Sequence, residues 1–475
     1  MKKNDIAFLD AQREITYATF SNDITLTADL LRKEFPDGCE VLGISPKIGP
    51  YLHWVLHAAC TILGIPTMGM RPNQVGWDDI VQAGPVDPSY PGPSYYFDNR
   101  VLAQARSASN ADDKGSGYKA FVETVRSNGD AVNRIVLTSG STGRPKAVPT
   151  TNAKIYANSE SFERGVRCLA TVGRDTGAGY SVPVAALLAG ATVLMAMGSR
   201  DGRSPMLTAF IASTYCITVP TVLAELLSNL KEPLEGSDDR LIIVGGSRAE
   251  IELCARARRL LCTELRFAYG STEAGLISYT TRFDEAKEPG NVGLLLPDIE
   301  VRFDAIDNEG DASNGPGLLY FRTPRMAPGY WDSGTITPFG DGWFCPGDMG
   351  YLNEAGELVV TGRIDDVVNY SGDKFSAVDL ESQLKSVNGI EDAFIAIVTA
   401  GSRQLFGVVC VTQLDTPALK HEVATVLGGR TSMVFRIDTI PRNQMGKLER
   451  KQLNAWLQSV VDNSVDKSPS GVADA

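Results

Sequence analysis

A chain of 475 residues, 43% hydrophobic and 21% charged, has ordinary globular composition and is long enough for two or more domains. Its net charge of −12 and isoelectric point of about 5.0 disfavour bulk nucleic acid or an anionic membrane as partner, but leave small polyanions open to a local site. No window is long and apolar enough for a membrane span, and the first residues contain no apolar core of signal-peptide length.

In chain order, the first notable segment is "YLHWVLHAAC", which carries His53 and His57 four residues apart. That spacing suits a metal pair, but no nearby carboxylate supports it, and packed helix histidines are the better reading. The Pro-rich stretch "QAGPVDPSYPGPSYYFD" reads as an irregular surface connection. Eight cysteines (39, 60, 168, 216, 254, 262, 345 and 410) form no C-x-x-C pair, which suits buried thiols in a reducing cytoplasm rather than disulfides or zinc.

"RIVLTSGSTGRPKAVP" couples an apolar strand to a loop rich in Gly and hydroxyls. Glycine lets consecutive N–H groups form a concave nest for phosphate, hydroxyls add donors, and Lys146 adds a point charge. It is not a Walker A loop, because Arg144 and Pro145 separate Gly143 from Lys146. "AALLAGATVLMAM" reads as buried helix and strand. Val222, Leu223, Leu226, Leu227 and Leu230 make one helical stripe. "RIVLTSG", "LIIVGGS" and "LRFAYGS" each end in a small polar cluster. Strands of this kind alternating with helices predict α/β layers with ligands at the strand C-terminal ends.

"FAYGSTEAG" offers an aromatic face at Tyr269, a turn at Gly270, hydroxyls at Ser271 and Thr272, and a hard carboxylate oxygen at Glu273. After about residue 290, short strands and turns predict a β-rich subdomain. Within it "GWFCPGDMGYL" places Asp348 beside a tight turn, and a hairpin folds Arg363 back towards it. From residue 361 the pattern changes to an α+β unit of about 100 residues, with a helix over 377–387, strands, a helix near 417–427, and a basic final helix. "PRNQMGKLER" presents Lys447 in a loop before that helix. The last residues lack aromatics and periodicity, which predicts disorder.

Singly, each stretch has a bland reading: a polar loop, a strand-to-helix turn, a turn carboxylate, a solvated lysine. In this order, from about Ile135 to Leu453, they resemble the adenylate-forming superfamily of acyl-CoA synthetases, nonribosomal adenylation domains and luciferases. The resemblance implies a large multi-sheet α/β N-terminal domain over 1–363 with its β-rich subdomain over about 290–363. A small mobile α+β domain over 364–462 follows, with the hinge at Asp365 and a disordered tail over 463–475.

The resemblance also implies roles. Thr138, Ser139, Gly140, Ser141, Thr142, Gly143 and Lys146 hold the β- and γ-phosphates of ATP. Gly245 and Gly246 line adenine and substrate, with Tyr269, Gly270 and Ser271 at the nucleotide. Thr272 contacts the α-phosphate, Glu273 holds Mg²⁺, and Asp348 and Arg363 take the ribose. Lys447 bridges the attacking carboxylate and the α-phosphate. Gly372 lines the channel for an acceptor thiol. The substrate pocket falls on Gly177, Ala178, Gly179, Ser181, Gly246, Ser247 and Tyr269.

Members that take simple acids often carry an F-H-x-x-G segment before the "LLAGAT" run; "GRDTGAGYSVP" has no His. Amino-acid-activating members place an Asp about nine residues before the run. Ungapped counting lands on Gly177, with Asp175 two positions away, which favours an acid without an α-amino group. The implied acceptor is coenzyme A; a carrier-protein pantetheine or an amine uses the same first half-reaction. A non-catalytic nucleotide-binding scaffold is disfavoured, because Lys146, Glu273, Asp348, Arg363 and Lys447 are all present.

Overall fold

The computed structural model describes residues 5–10, 13–70, 80–85, 92–109, 116–138, 145–197, 203–228, 230–305, 316–332, 334–370, 373–401, 403–442, 448 and 450–465; of Asp365, Asn369, Asp373, Lys374, Ser464 and Val465 it describes the backbone alone. The chain divides into two compact units. The first holds residues 1–301, 321–344 and 356–358; the second holds 302–320, 345–355 and 359–475. The division thus runs through the β-rich segment.

Among the described residues, the first unit's strands belong to two sheets. One has parallel strands Ile6–Leu9, Thr192–Leu194, Arg167–Ala170, Tyr215–Thr218, Leu241–Gly245 and Glu264–Ser271 side by side, with Gly275–Tyr279 antiparallel to the last. In the other, Ser94–Tyr95, Val81–Ala83, Leu42–Ile44, Thr67–Gly69 and Val132–Thr138 run parallel. Lys146–Thr151, Tyr330–Asp332 and Thr335–Thr337 add antiparallel strands. Parallel strands buried on both faces need helices above and below, and read in sequence as continuous apolar runs. The Pro-rich stretch is therefore only partly irregular. Its ends form the strands Val81–Ala83 and Ser94–Tyr95, with Phe97 fully buried, and residues 86–91 lie outside the described residues.

Pro50–Ile62 is a helix whose residues from Tyr51 to Thr61 are all buried. A helix apolar on every side belongs inside a protein. His57 bonds Thr67 Oγ1 through Nδ1 (2.9 Å) and the Tyr180 hydroxyl through Nε2 (3.0 Å), so neither nitrogen is left for a metal. The Tyr180 hydroxyl also donates to Asn133, which donates in turn to Asn152 Oδ1 at 2.6 Å. Beside them, the fully buried Arg134 guanidinium pairs with Asp175 at 2.9 Å and lies over the Tyr180 ring. The helix at Pro220–Leu227 ends before Leu230. The expected stripe is therefore one residue too long at its end: Leu223 and Leu227 are buried and Leu230 packs from the following segment.

Burial holds both imidazoles well below their ordinary range, and the Arg134 charge adds to this. Both stay neutral in the folded chain while the unfolded chain takes up protons below about pH 6.5. Their effect on stability is therefore absent above that pH and unfavourable below it. Stability should fall as the pH drops from 7 to 5, each imidazole contributing to the fall. Urea midpoints from pH 7 to 5 check this: His53→Phe should flatten the fall, and an identical slope in that variant would contradict it.

In the second unit, strands Ile390–Ala400, Arg403–Thr412 and Ser432–Arg436 form one sheet. Side chains alternate across it. Ile395, Phe406 and Val408 meet Leu384 and Val423 of the helices Ala377–Lys385 and Thr416–Val426. Phe394, Val398 and Val409 meet Leu457 and Val461 of the helix Arg450–Val465. That helix continues past the expected end at 462, where Asn463 Nδ2 donates to the Ser459 carbonyl at 2.8 Å; residues 466–475 lie outside the described residues. Arg450 at its start bonds both oxygens of the buried Glu381 (2.8 and 2.6 Å) and Asp366 at 2.6 Å. Among the described residues, no helix is long and apolar enough to cross a membrane.

Candidate active site

In the first unit, candidate residues from three segments come near one another. Gly245 is in register with Ala268 of the neighbouring parallel strand, so Gly246 and Ser247 leave the sheet beside Tyr269. Arg167–Ala170 lies two strands away, and the chain beyond it enters the helix Gly177–Leu188, capped by Thr176, whose hydroxyl accepts from Gly179 N at 3.1 Å. A β-carbon at Gly177 would sit 2.9 Å from Thr272 Oγ1. The start of this helix therefore faces the Thr272 side chain.

Ser271 to Gly275 is a tight strand-to-strand turn, not the entry to a helix: Glu264–Ser271 pairs directly with Gly275–Tyr279. Gly270, expected in the turn, lies within the strand at a register shift. There a β-carbon would fall 2.2 Å from the Gly275 carbonyl, so close backbone approach demands glycine. The turn is held from several sides. Ala274 N donates to Ser271 Oγ (3.0 Å), Ala327 N to the Glu273 carbonyl (2.7 Å), and Lys154 Nζ to the Thr272 carbonyl (2.6 Å).

Tyr330 lies between two of the candidates. Its hydroxyl is 3.5 Å from Lys146 Nζ and 3.5 Å from Glu273 Oε1, and the Lys146 ammonium lies 4.7 Å from its ring centroid. Burial, then the Glu273 carboxylate, raises the Tyr330 phenol, so it remains a donor. Pairing of Trp331 with Ala147 brings Tyr330 to Lys146. Glu273 is buried, 9% exposed, and among the described residues its carboxylate has one long hydrogen bond, to Tyr330. A buried carboxylate with most of its acceptor capacity unspent fits a hard cation such as Mg²⁺. Thr138 Oγ1 donates to the Lys146 carbonyl at 3.3 Å, where the strands Val132–Thr138 and Lys146–Thr151 flank the segment expected to hold phosphate.

Gly179 does not face open space. A β-carbon there would lie 2.0 Å from the Gly173 carbonyl, so Gly179 serves the helix entry instead of lining a pocket. Asp175 is committed to Arg134, and it passes so close to Gly69 that a β-carbon on that glycine would meet its carboxylate at 1.9 Å.

In the second unit, Arg363 Nη1 donates to Asp348 Oδ1 at 3.0 Å, the meeting that the hairpin spacing predicts, and Nη2 donates to the Pro346 carbonyl at 2.9 Å. Gly347 makes the turn between them with φ +81°, a left-handed conformation that glycine takes without strain. Asp365 belongs to the short turn Ile364–Asp366. Ser139, Gly140, Ser141, Thr142, Gly143, Gly372 and Lys447 lie outside the described residues.

The sequence reading missed Lys154 and Tyr330. Lys154 stands eight residues after Lys146 and is 7% exposed; burial pulls its ammonium down to about 8, with the Glu273 carboxylate opposing. Its only local signal is a lysine beside the buried Ile155 in a short helix, Asn152–Ser159.

The fold is shared with solved structures. ATP-bound MatB from Rhodopseudomonas palustris matches with a TM-score of 0.80 at 18% identity over 97% of each chain. O-succinylbenzoate coenzyme A synthetase (MenE) from Bacillus subtilis, in complex with AMP, matches with a TM-score of 0.76 at 19% identity over 95% of each chain. In sequence, the chain is 27% identical over 401 residues to a salicylyl-CoA synthase / salicylate adenylyltransferase from a Streptomyces species, covering 77% of this chain and 69% of that one. It is 29% identical over 360 residues to the medium/long-chain-fatty-acid–[acyl-carrier-protein] ligase FadD10 of Mycobacterium tuberculosis, covering 68% and 66%. The chain thus spans about two thirds of the length of these relatives. The family model described as AMP-binding enzyme matches residues 93–331, just over half of the sequence, and takes in Lys146, the Thr272–Glu273 turn and Tyr330. The chain belongs to the AMP-binding enzyme family.

Proposed function

We propose that this chain activates a carboxylic acid with ATP to an acyl-adenylate, releasing pyrophosphate, and then transfers the acyl group to a thiol, coenzyme A in the first instance. The observation that carries the reading is the cluster in which Tyr330 links Lys146, at the foot of the phosphate loop, to the buried Glu273 carboxylate beside Thr272. A carboxylate oxygen attacks the α-phosphorus, and the bond to the β-phosphate oxygen breaks. Both partners are anionic, so the site must supply positive charge before the step. Lys146 neutralises the leaving phosphates, and the Thr272 hydroxyl donates to the α-phosphate. Mg²⁺, when bound at Glu273, neutralises phosphate oxygens. Lys447 spans the attacking and attacked oxygens. Asp348, oriented by Arg363, accepts from the ribose hydroxyls. In the second half-reaction a thiolate attacks the acyl carbon and AMP leaves. Asp365 serves as the hinge between the half-reactions, and Gly372 leaves room for a pantetheine arm.

Substrate lies against Gly177, Ala178, Ser181, Gly246, Ser247 and Tyr269. The engagement of Asp175 with Arg134 supports an acid without an α-amino group, since the carboxylate two positions from Gly177 is already paired with a guanidinium. Eight free thiols support a reducing, cytoplasmic setting.

Gly177 touches Thr272 as well as the proposed pocket, so enlarging it does more than narrow the pocket. Gly177→Val should lower adenylation of small and large acids alike, by about tenfold or more, because the Thr272 hydroxyl is displaced. Rates measured across acids of increasing size check this; a loss confined to large acids would place Gly177 in the pocket alone.

Pyrophosphate release across aryl, fatty and amino acids, each with and without coenzyme A, tests the reading. Acid-dependent release accelerated by coenzyme A supports it. Release relieved only by a pantetheinylated carrier protein or an amine moves the acceptor. No release with any acid overturns the activity.

A further inference from the structure

The Thr272 carbonyl is bound by a buried lysine that the proposed reaction does not use. Lys154 projects from the helix Asn152–Ser159, which follows directly on the strand Lys146–Thr151. Its Nζ reaches across 118 positions of sequence to the Thr272 carbonyl at 2.6 Å. Its stem passes Gly275, where a β-carbon would lie 3.4 Å from Lys154 Cε. Its ammonium interacts electrostatically with Glu273. The phosphate-loop strand and the Thr272–Glu273 turn are thus joined twice: through Tyr330 on the Lys146 side and through Lys154 on the backbone side.

Burying an ammonium costs several kcal/mol unless its partners offset the lost hydration. For packing alone, an apolar side chain of the same length would do as well or better. A tight turn that must present a hydroxyl and a carboxylate from neighbouring residues in fixed directions has a different need. Its intervening carbonyl must be held, because rotation of that peptide plane redirects both side chains at once.

We propose that Lys154 is a positioning residue of the adenylation step, holding the Thr272 carbonyl so that the Thr272 hydroxyl and the Glu273 carboxylate keep their orientation towards the triphosphate and its Mg²⁺. The inference rests on the activity proposed above. It differs from the roles of Lys146 and Lys447 in that Lys154 acts through the turn and not on the nucleotide itself.

Lys154→Met keeps the stem and deletes the donor. Lys154→Gln keeps a polar group but is too short to reach the carbonyl. Both are compared with the wild type in acid-dependent exchange of pyrophosphate into ATP, in calorimetric titration with Mg²⁺·ATP, and in thermal unfolding. Both variants should lose roughly 10–100-fold in kcat and bind Mg²⁺·ATP more weakly, while KM for the acid stays within about twofold. The midpoint of unfolding of Lys154→Met should not fall, since a buried charge has been removed. A purely structural lysine would give the opposite pattern: kcat per folded molecule within about twofold of wild type, with a lowered midpoint. That result in either variant overturns the proposal, and Lys154→Gln decides if Lys154→Met does not fold. Exchange by the wild type establishes the activity first; its absence with every acid overturns both, and normal exchange in the variants overturns the role of Lys154 alone.

Discussion

Lys447→Ala should slow acid-dependent pyrophosphate exchange by about 100- to 1,000-fold, while thioester formation from a supplied acyl-adenylate stays within a few-fold of wild type. The asymmetry follows from the two reactions. Carboxylate attack on the α-phosphate brings two anions together, and a charge-assisted contact removed at that point costs about 3–4 kcal/mol. Thiolate attack on an acyl-adenylate breaks an anhydride already made, and Lys447 has no anionic pair left to bridge. Lys447 falls in the sequence between the strand Ser432–Arg436 and the helix Arg450–Val465, in the part of the chain that we propose moves about Asp365 between the half-reactions. The paired assays use one preparation and two substrates, so loss of folded protein lowers both. Equal loss in the two would show that Lys447 holds the fold or the nucleotide instead of the first transition state.

Glu273→Gln should have a comparable effect by a different route. The substitution keeps the size of the side chain and an acceptor for the Tyr330 hydroxyl, so the turn between Ser271 and Gly275 survives. What it removes is the negative charge that fits a hard cation. Pyrophosphate exchange should fall by about 100-fold or more at ordinary Mg²⁺, with the loss reduced as Mg²⁺ is raised. The measurement is exchange rate against Mg²⁺ concentration. A loss of less than tenfold that is indifferent to Mg²⁺ would remove Glu273 from the metal.

Much of this arrangement is written locally in the sequence. The parallel strands of the first unit read as apolar runs ending in small polar residues, because ligand-binding turns at strand ends need Gly, Ser and Thr where the chain leaves the sheet. The Asp348–Arg363 contact follows from a hairpin between them, a short-range relation that counting can find. The three-stranded sheet of the second unit alternates plainly, since each face meets different helices. The illegible parts are those fixed by distant residues. Gly270 looks like a turn residue but lies in a strand, and the reason is the carbonyl of Gly275 on its partner strand. Gly177 looks like a pocket lining alone, and its closeness to Thr272, far along the chain, shows only in the fold. Nothing local in the sequence joins Arg134 to Asp175, and only the fold buries the arginine and makes the aspartate its partner. Lys154 carries no periodic signal at all, because its partner is a backbone carbonyl in a turn 118 positions away.

The measurement that tests the central claim most directly follows oxygen. With a substrate acid labelled with ¹⁸O in both carboxylate positions, attack on the α-phosphate and later departure of AMP require one labelled oxygen to pass to AMP in each turnover. The account predicts AMP carrying a single ¹⁸O, with pyrophosphate unlabelled. Label found in inorganic phosphate alongside ADP would mean attack at the γ-phosphate, and ATP consumption with no label in AMP would mean that no acyl-adenylate forms; either result contradicts the account.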